Sequence, residues 1–134
     1  MSDIPAVQHF VFGAWAFDIQ AAQLRLRAHP RARLQAEITG WAQAFGLHEQ
    51  APGRFPLIAG PDLDRAYAMT TDLDQPLIIA TLQAEGRDPE PLLIDGWHRV
   101  YRAHAEHRTH LPAYVLTIAE SLKIRSHVRA LRGR

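Results

Sequence analysis

Cysteine is absent from the 134 residues. That single absence excludes disulfides, thiolate zinc sites and thiol catalysis together. Long apolar runs are missing as well: nothing approaches the roughly 18 residues of a membrane helix, so no membrane partner is expected. A large charge of one sign is also lacking. Lys and Arg number 15 against 14 Asp and Glu, a formal +1, which removes any global electrostatic case for nucleic acid. The first residues, Met1-Ser2-Asp3-Ile4-Pro5, lack the basic start of a signal peptide, and a cytoplasmic location is the expectation. Neither repeats nor low-complexity segments occur. What is present, 47% hydrophobic and 22% charged residues, is ordinary for a globular chain of one domain with its own core.

One stretch organises the rest. Leu92-Leu93-Ile94 is an unbroken apolar run, as in a strand buried on both faces. Asp95-Gly96 follows as a sharp turn, and from Trp97 the period changes from two to about 3.6, with Trp97, Val100, Tyr101 and His104 on one helical face. A strand that runs through glycine into a helix presents free backbone N–H groups and a positive dipole end, a setting for phosphate. His98 and Arg99 fall in the first helical turn, where both can point at the same anion, and arginine offers a forked donor. Asp95, acceptor-only when ionised, could bind Mg²⁺ or take a proton. The plainer alternative has Asp95 capping the helix, with Arg99 paired to it at i+4. Trp97 is a candidate to stack on a base, and the simpler reading puts it with Tyr101 in the core.

Elsewhere the pattern predicts a strand over 7–12, a turn over 13–17, and a helix capped by Asp18 and running to about Ala28, ended by His29-Pro30. Leu34, Ile38, Trp41 and Phe45 repeat at helical spacing and predict a second helix from Pro30, stopped by Gly46. Gly40 within it would allow a close contact. Together these two helices make an N-terminal helical hairpin, with Arg25, Arg27, Arg31 and Arg33 clustered at the junction, where they form either a patch for an anionic partner or, as the preferred reading, a solvated basic corner. Residues 48–60 read as a surface loop with a short strand near 55–59, and 62–69 lean towards a helix. Leu77 to Leu82 is a strand, antiparallel to 92–94 through the polar loop 85–90. His107 holds the left-handed position that closes the motif helix. Residues 113–116 form another strand. Thr117-Ile118-Ala119-Glu120 matches a capping box for a last helix running to about Leu131. His104, His107 and His110 have metal-like spacing without a third ligand or second shell in view, and no metal site is assigned; His104 is expected as a hydrogen-bonded core histidine.

Ile94-Asp95-Gly96-Trp97-His98-Arg99, preceded by the acidic turn and strand from Thr71 to Ile79 and followed by Leu111-Pro112-Ala113-Tyr114-Val115-Leu116, resembles the core of the ParB/sulfiredoxin superfamily over about residues 63–116. In that superfamily a strand–turn–helix with a D-G-x-H-R or G-E-R-R type motif binds nucleotide phosphates. The resemblance implies an α+β domain, residues 61–134, with a small mixed sheet packed with helices, to which residues 1–60 add their strand and hairpin. It implies a nucleoside tri- or diphosphate (ATP or CTP), with Mg²⁺, held by Gly96, Trp97, His98 and Arg99. It also permits NTP hydrolysis or phosphoryl transfer to a small molecule, with Asp95 as the catalytic residue. The superfamily's kinases use a further acidic base, for which Asp62, Asp72, Asp74 and Glu120 are available. Glu120 to Arg125 is similar to an E-N-x-x-R segment that completes the CTP site in ParB proteins, one residue longer, with Ser121 and Arg125 on one helical face. Trp97 stands where sulfiredoxin has its cysteine, so that activity is not expected. The competing class is a non-enzymatic adaptor or DNA-partition accessory acting through a partner. With one helix expected after Leu116, no helix-turn-helix follows, and DNA binding is not expected of the chain alone.

Overall fold

A computed structural model describes residues 9–12, 14–44 and 65–129. Within these the chain is α+β, with two small sheets and five helices: β1 (His9–Phe12), β2 (Trp15–Asp18), α1 (Ile19–Ala28), β3 (Leu34–Glu37), α2 (Thr39–Ala44), α3 (Arg65–Ala68), β4 (Leu77–Leu82), β5 (Glu90–Asp95), α4 (Trp97–Ala105), β6 (His110–Val115), α5 (Ile118–Lys123) and β7 (Arg125–His127). The first sheet is antiparallel, in the order β1-β2-β7, and the second is mixed, in the order β3-β6-β4-β5. In the second, β3–β6 and β4–β5 run antiparallel and β4–β6 parallel. Both sheets draw strands from either side of residue 60. No described helix is long and apolar enough to cross a membrane.

Strand β4 is the centre. Leu77, Ile78, Ile79 and Ala80 are all buried, because β5 and β6 flank the strand and both of its faces are covered. Leu92, Leu93 and Ile94 of β5 and Leu111 and Ala113 of β6 continue the same core, with Trp97, Val100 and Ala103 of α4. The expected antiparallel pairing of 77–82 with the 92–94 run is observed, with a register shift between Ile78 and Ile79. Helix α5 is bolted to this sheet by a buried serine: Ser121 Oγ accepts from Thr81 N at 2.9 Å and donates to Thr117 O at 2.8 Å.

The caps read from the sequence are present. Asp18 accepts from Ala21 N at 2.9 Å. Thr117 and Glu120 bond each other's backbone N–H groups in a complete capping box. Helix α4 closes in a Schellman motif: His107 is left-handed at φ 61°, its N–H donates to His104 O at 3.1 Å, and Arg108 N donates to Ala103 O at 2.8 Å.

Four expectations are corrected. Residues 15–17, expected in a turn, belong to strand β2 (Trp15–Asp18), which pairs on both edges. There is no helical hairpin: 34–37 form β3, the antiparallel neighbour of β6, and only 39–44 are helical. The helical spacing of Leu34, Ile38 and Trp41 was real but not decisive. The open edge of β6 offers backbone donors and acceptors that a strand at this position satisfies and a helix does not, and Leu34 consequently lies 54% exposed. Gly40 makes no close contact among the described residues either, since a Cβ there would meet none of them within 4 Å. The last helix stops at Lys123 rather than near 131, because 125–127 leave it to become the third strand beside β2. Residues 65–68 are helical as expected. The expectations for Phe45, Gly46, 48–60 and Asp62, and the last helix's expected end, fall outside the described residues.

Candidate anion site at the β5–α4 turn

Gly96 is the N-cap of α4 at φ 110°, ψ 18°, and no side chain caps the helix. Only glycine adopts this conformation cheaply. A Cβ at this position would also lie 2.3 Å from Leu77 Cδ2 and 3.0 Å from Arg99 Nη2. Gly96→Ala is therefore expected to destabilise the fold by about 2 kcal/mol through strain and overpacking. Urea unfolding checks this, and an unchanged midpoint would show that the turn relaxes freely.

The start of α4 opens onto a cavity of about 520 Å³. Its wall includes Asp95, Gly96, Trp97, His98 and Arg99, and from the preceding turn Asp72. One stretch of sequence thus supplies most of the candidate residues, since a strand that ends at Asp95 and a helix that starts at Trp97 must present them together. Asp95 does not cap the helix. It accepts from Arg99 Nη2 at 3.4 Å, the i,i+4 pair of the plainer reading. Arg99 and Asp95 keep 15% and 20% of their side-chain surface exposed. The His98 and Tyr67 rings form a T-shaped pair with centroids 5.0 Å apart. Of the two readings of Trp97, the core one is observed. Its indole is 3% exposed, stacks on Phe10 at 6.0 Å, and donates from Nε1 to Leu93 O at 3.1 Å.

The accessory candidates separate. Asp72 lines the cavity, and its Oδ1 accepts from Asp74 N at 2.9 Å. Asp74 is not on the cavity wall; its carbonyl accepts from Arg33 Nη1 at 3.2 Å. Glu120 is elsewhere altogether, buried under two arginines. Arg31 Nη1 and Nη2 reach its Oε1 and Oε2 at 2.6 Å each, and Arg25 Nε reaches Oε2 at 3.0 Å. The Arg31 hydrogen bond, ahead of the Thr117 and Arg25 bonds, holds the Glu120 carboxyl well below the usual carboxylate range, against the opposing effect of burial. The same contact raises Arg31. So the solvated basic corner is corrected too: Arg25 and Arg31 clasp α1 and the chain after it to α5. Arg125 shares no helical face with Ser121; it lies in β7 with its guanidinium 3.8 Å over the Trp15 ring.

Sequence reasoning missed His9, Tyr67, Thr70, Thr71 and Gln75 on the cavity wall. Of these, Thr71 and Gln75 lie in the acidic stretch before β4; the Thr71 carbonyl accepts from Arg102 Nη1, which pins that turn to α4. Among the described residues no group of three His, Cys, Asp or Glu side chains is placed to hold a metal by itself. His104 is half-buried and, with His107, borders a separate cavity of about 200 Å³. Comparison of the chain with protein-family models, curated proteins and solved structures finds no match.

Proposed function

We propose that the chain binds the phosphates of a nucleoside di- or triphosphate, ATP or CTP, at the turn from Asp95 to Arg99. The observation that carries this reading is the uncapped start of α4 at Gly96, open to a cavity of about 520 Å³ with His98 and Arg99 on the same wall. Backbone N–H groups at a helix start suit a multivalent oxyanion, and Arg99, held by a single long contact to Asp95, can turn a forked donor towards it. The resemblance of residues 94–99 to the ParB/sulfiredoxin motif agrees with this assignment and is part of the same proposal. Trp97 contributes its amide rather than its ring.

Mg²⁺ fits the wall as a metal carried in by phosphates. Such ions take one or two protein carboxylates, and Asp95 and Asp72 are the carboxylates lining the cavity among the described residues. Bound there, Mg²⁺ would supply charge neutralisation between phosphate oxygens and carboxylates. Should the chain also catalyse hydrolysis or phosphoryl transfer, Asp95 is the group to take the proton of the attacking hydroxyl, since Glu120 is spent on its arginines.

A thermal-shift series with ATP, CTP and pyrophosphate, each with and without Mg²⁺, tests the reading. A ligand at a hundredfold excess over its Kd adds about 2.7 kcal/mol to the native state, which raises Tm on the order of 10 °C for a domain of this size. A Mg²⁺-dependent rise with one nucleotide is expected. Flat curves throughout would refute the proposal and leave the adaptor class as the working alternative.

A further inference from the structure

Asp95 and Arg99 line two cavities. Beside the one already described lies a second, of about 340 Å³, bordered by α1, the turn before β4, and β6. It has an apolar part and a charged part. Leu26, Pro76 and Tyr114 form the first, and Arg27, Arg31 and Arg99 the second.

These arginines are not equivalent. Arg31 has no donor to spare: Nε and Nη2 give to His29 O, Nη1 to Val115 O, and Nη1 and Nη2 to the Glu120 carboxylate. It contributes charge, not contacts. Arg99 answers Asp95. Arg27 is exposed at the rim and forms no ion pair among the described residues. The cavity wall carries Arg27, Arg31 and Arg99 against one carboxylate, Asp95, while Glu120 behind Arg31 is shared with Arg25, so the local balance is positive although the chain as a whole carries only +1. A positive, partly apolar concavity of this size selects a small organic anion over an inorganic one, because burying the apolar wall needs an apolar body on the ligand.

We propose that this second cavity binds a small organic monoanion, a ring-sized apolar body bearing one carboxylate, with Arg27 on the charge and Leu26, Pro76 and Tyr114 around the body. The proposal does not rest on the phosphate reading, since Arg27 and these apolar residues are not on the first cavity's wall.

Amide-resolved NMR titration of the whole chain with benzoate, and with uncharged benzamide beside it, provides the test. Benzoate is expected to shift the amides of Leu26, Arg27, Ile78 and Tyr114 and to leave Tyr67 and His98 in place. Benzamide should bind at least tenfold more weakly. Arg27→Ala, at an exposed position outside the core, should weaken benzoate about tenfold while leaving the Mg²⁺–nucleotide response unchanged. Equal binding of benzoate and benzamide, shifts centred on Gly96 and His98, no shifts at all, or an Arg27→Ala variant that binds like the parent would each overturn the assignment.

Discussion

Replacing Glu120 by alanine is expected to cost about 3 kcal/mol of stability, more than the loss at Gly96. Glu120 is 5% exposed and answers three partners at once. A bidentate pair with Arg31, a bond from Arg25 Nε, and the Thr117 N–H at 2.9 Å all end on its two oxygens. Removing the carboxylate strands two guanidinium groups in a partly desolvated place and opens half of the capping box. Breaking a buried pair in this way costs about 3–5 kcal/mol. The lower end applies because Arg31 and Arg25 keep 21% and 32% of their side-chain surface exposed and can recover some hydration. Urea unfolding measures it, and a loss below about 1 kcal/mol would show that the clasp is a surface ornament rather than a fastening.

The same carboxylate sets an acid limit. Its folded-state pKa is lowered from 4.5, chiefly by the Arg31 hydrogen bond. A lowered carboxyl contributes its stability fully above the unfolded-state value and loses it as pH falls from there towards the folded value. The urea midpoint should therefore decline below about pH 5, and Glu120→Gln, which cannot titrate, should flatten that decline. An identical acid profile in Glu120→Gln would assign the effect to other groups.

Arg99→Ala is expected to weaken Mg²⁺–nucleotide binding ten- to a hundredfold, with little change in urea stability. A charge-assisted contact of this kind is worth roughly 1.5–3 kcal/mol. The structural role that could mask the effect is small, since among the described residues the guanidinium makes one polar contact, at 3.4 Å to a partly exposed carboxylate. Arg99→Lys should recover part of the affinity, because it restores the charge without the fork. Calorimetric titration with the nucleotide selected by the thermal screen gives the numbers. Wild-type affinity in a folded Arg99→Ala would remove the phosphate from this turn.

Much of the candidate site was legible because it is local. The apolar run of β5, the glycine after it, the change of period at Trp97 and the cationic first turn lie within eight residues, from Leu92 to Arg99, and geometry leaves them no freedom to separate. His107 was legible for the same reason: a helix ending there needs a left-handed residue, and none of its neighbours is glycine. The rest of the cavity was not legible. His9 and Tyr67 arrive from distant segments with no motif of their own, and Glu120 looked like a site residue because nothing in its neighbourhood announced Arg31, 89 positions earlier.

By itself, then, the sequence determined the elements whose cause is internal: the buried strands β4 and β5, the caps at Asp18 and Thr117, the left-handed turns at Gly96 and His107, and the exclusion of thiol chemistry. Tertiary structure alone decided β2, β3 and β7. Each is a strand of three or four residues whose own pattern fitted a turn or a helix equally well. Their backbone groups are satisfied by partners far along the chain, β3 by β6 and β7 by β2. A helix carries its hydrogen-bond partners within itself, whereas a strand borrows them, and what is borrowed cannot be read from the borrower.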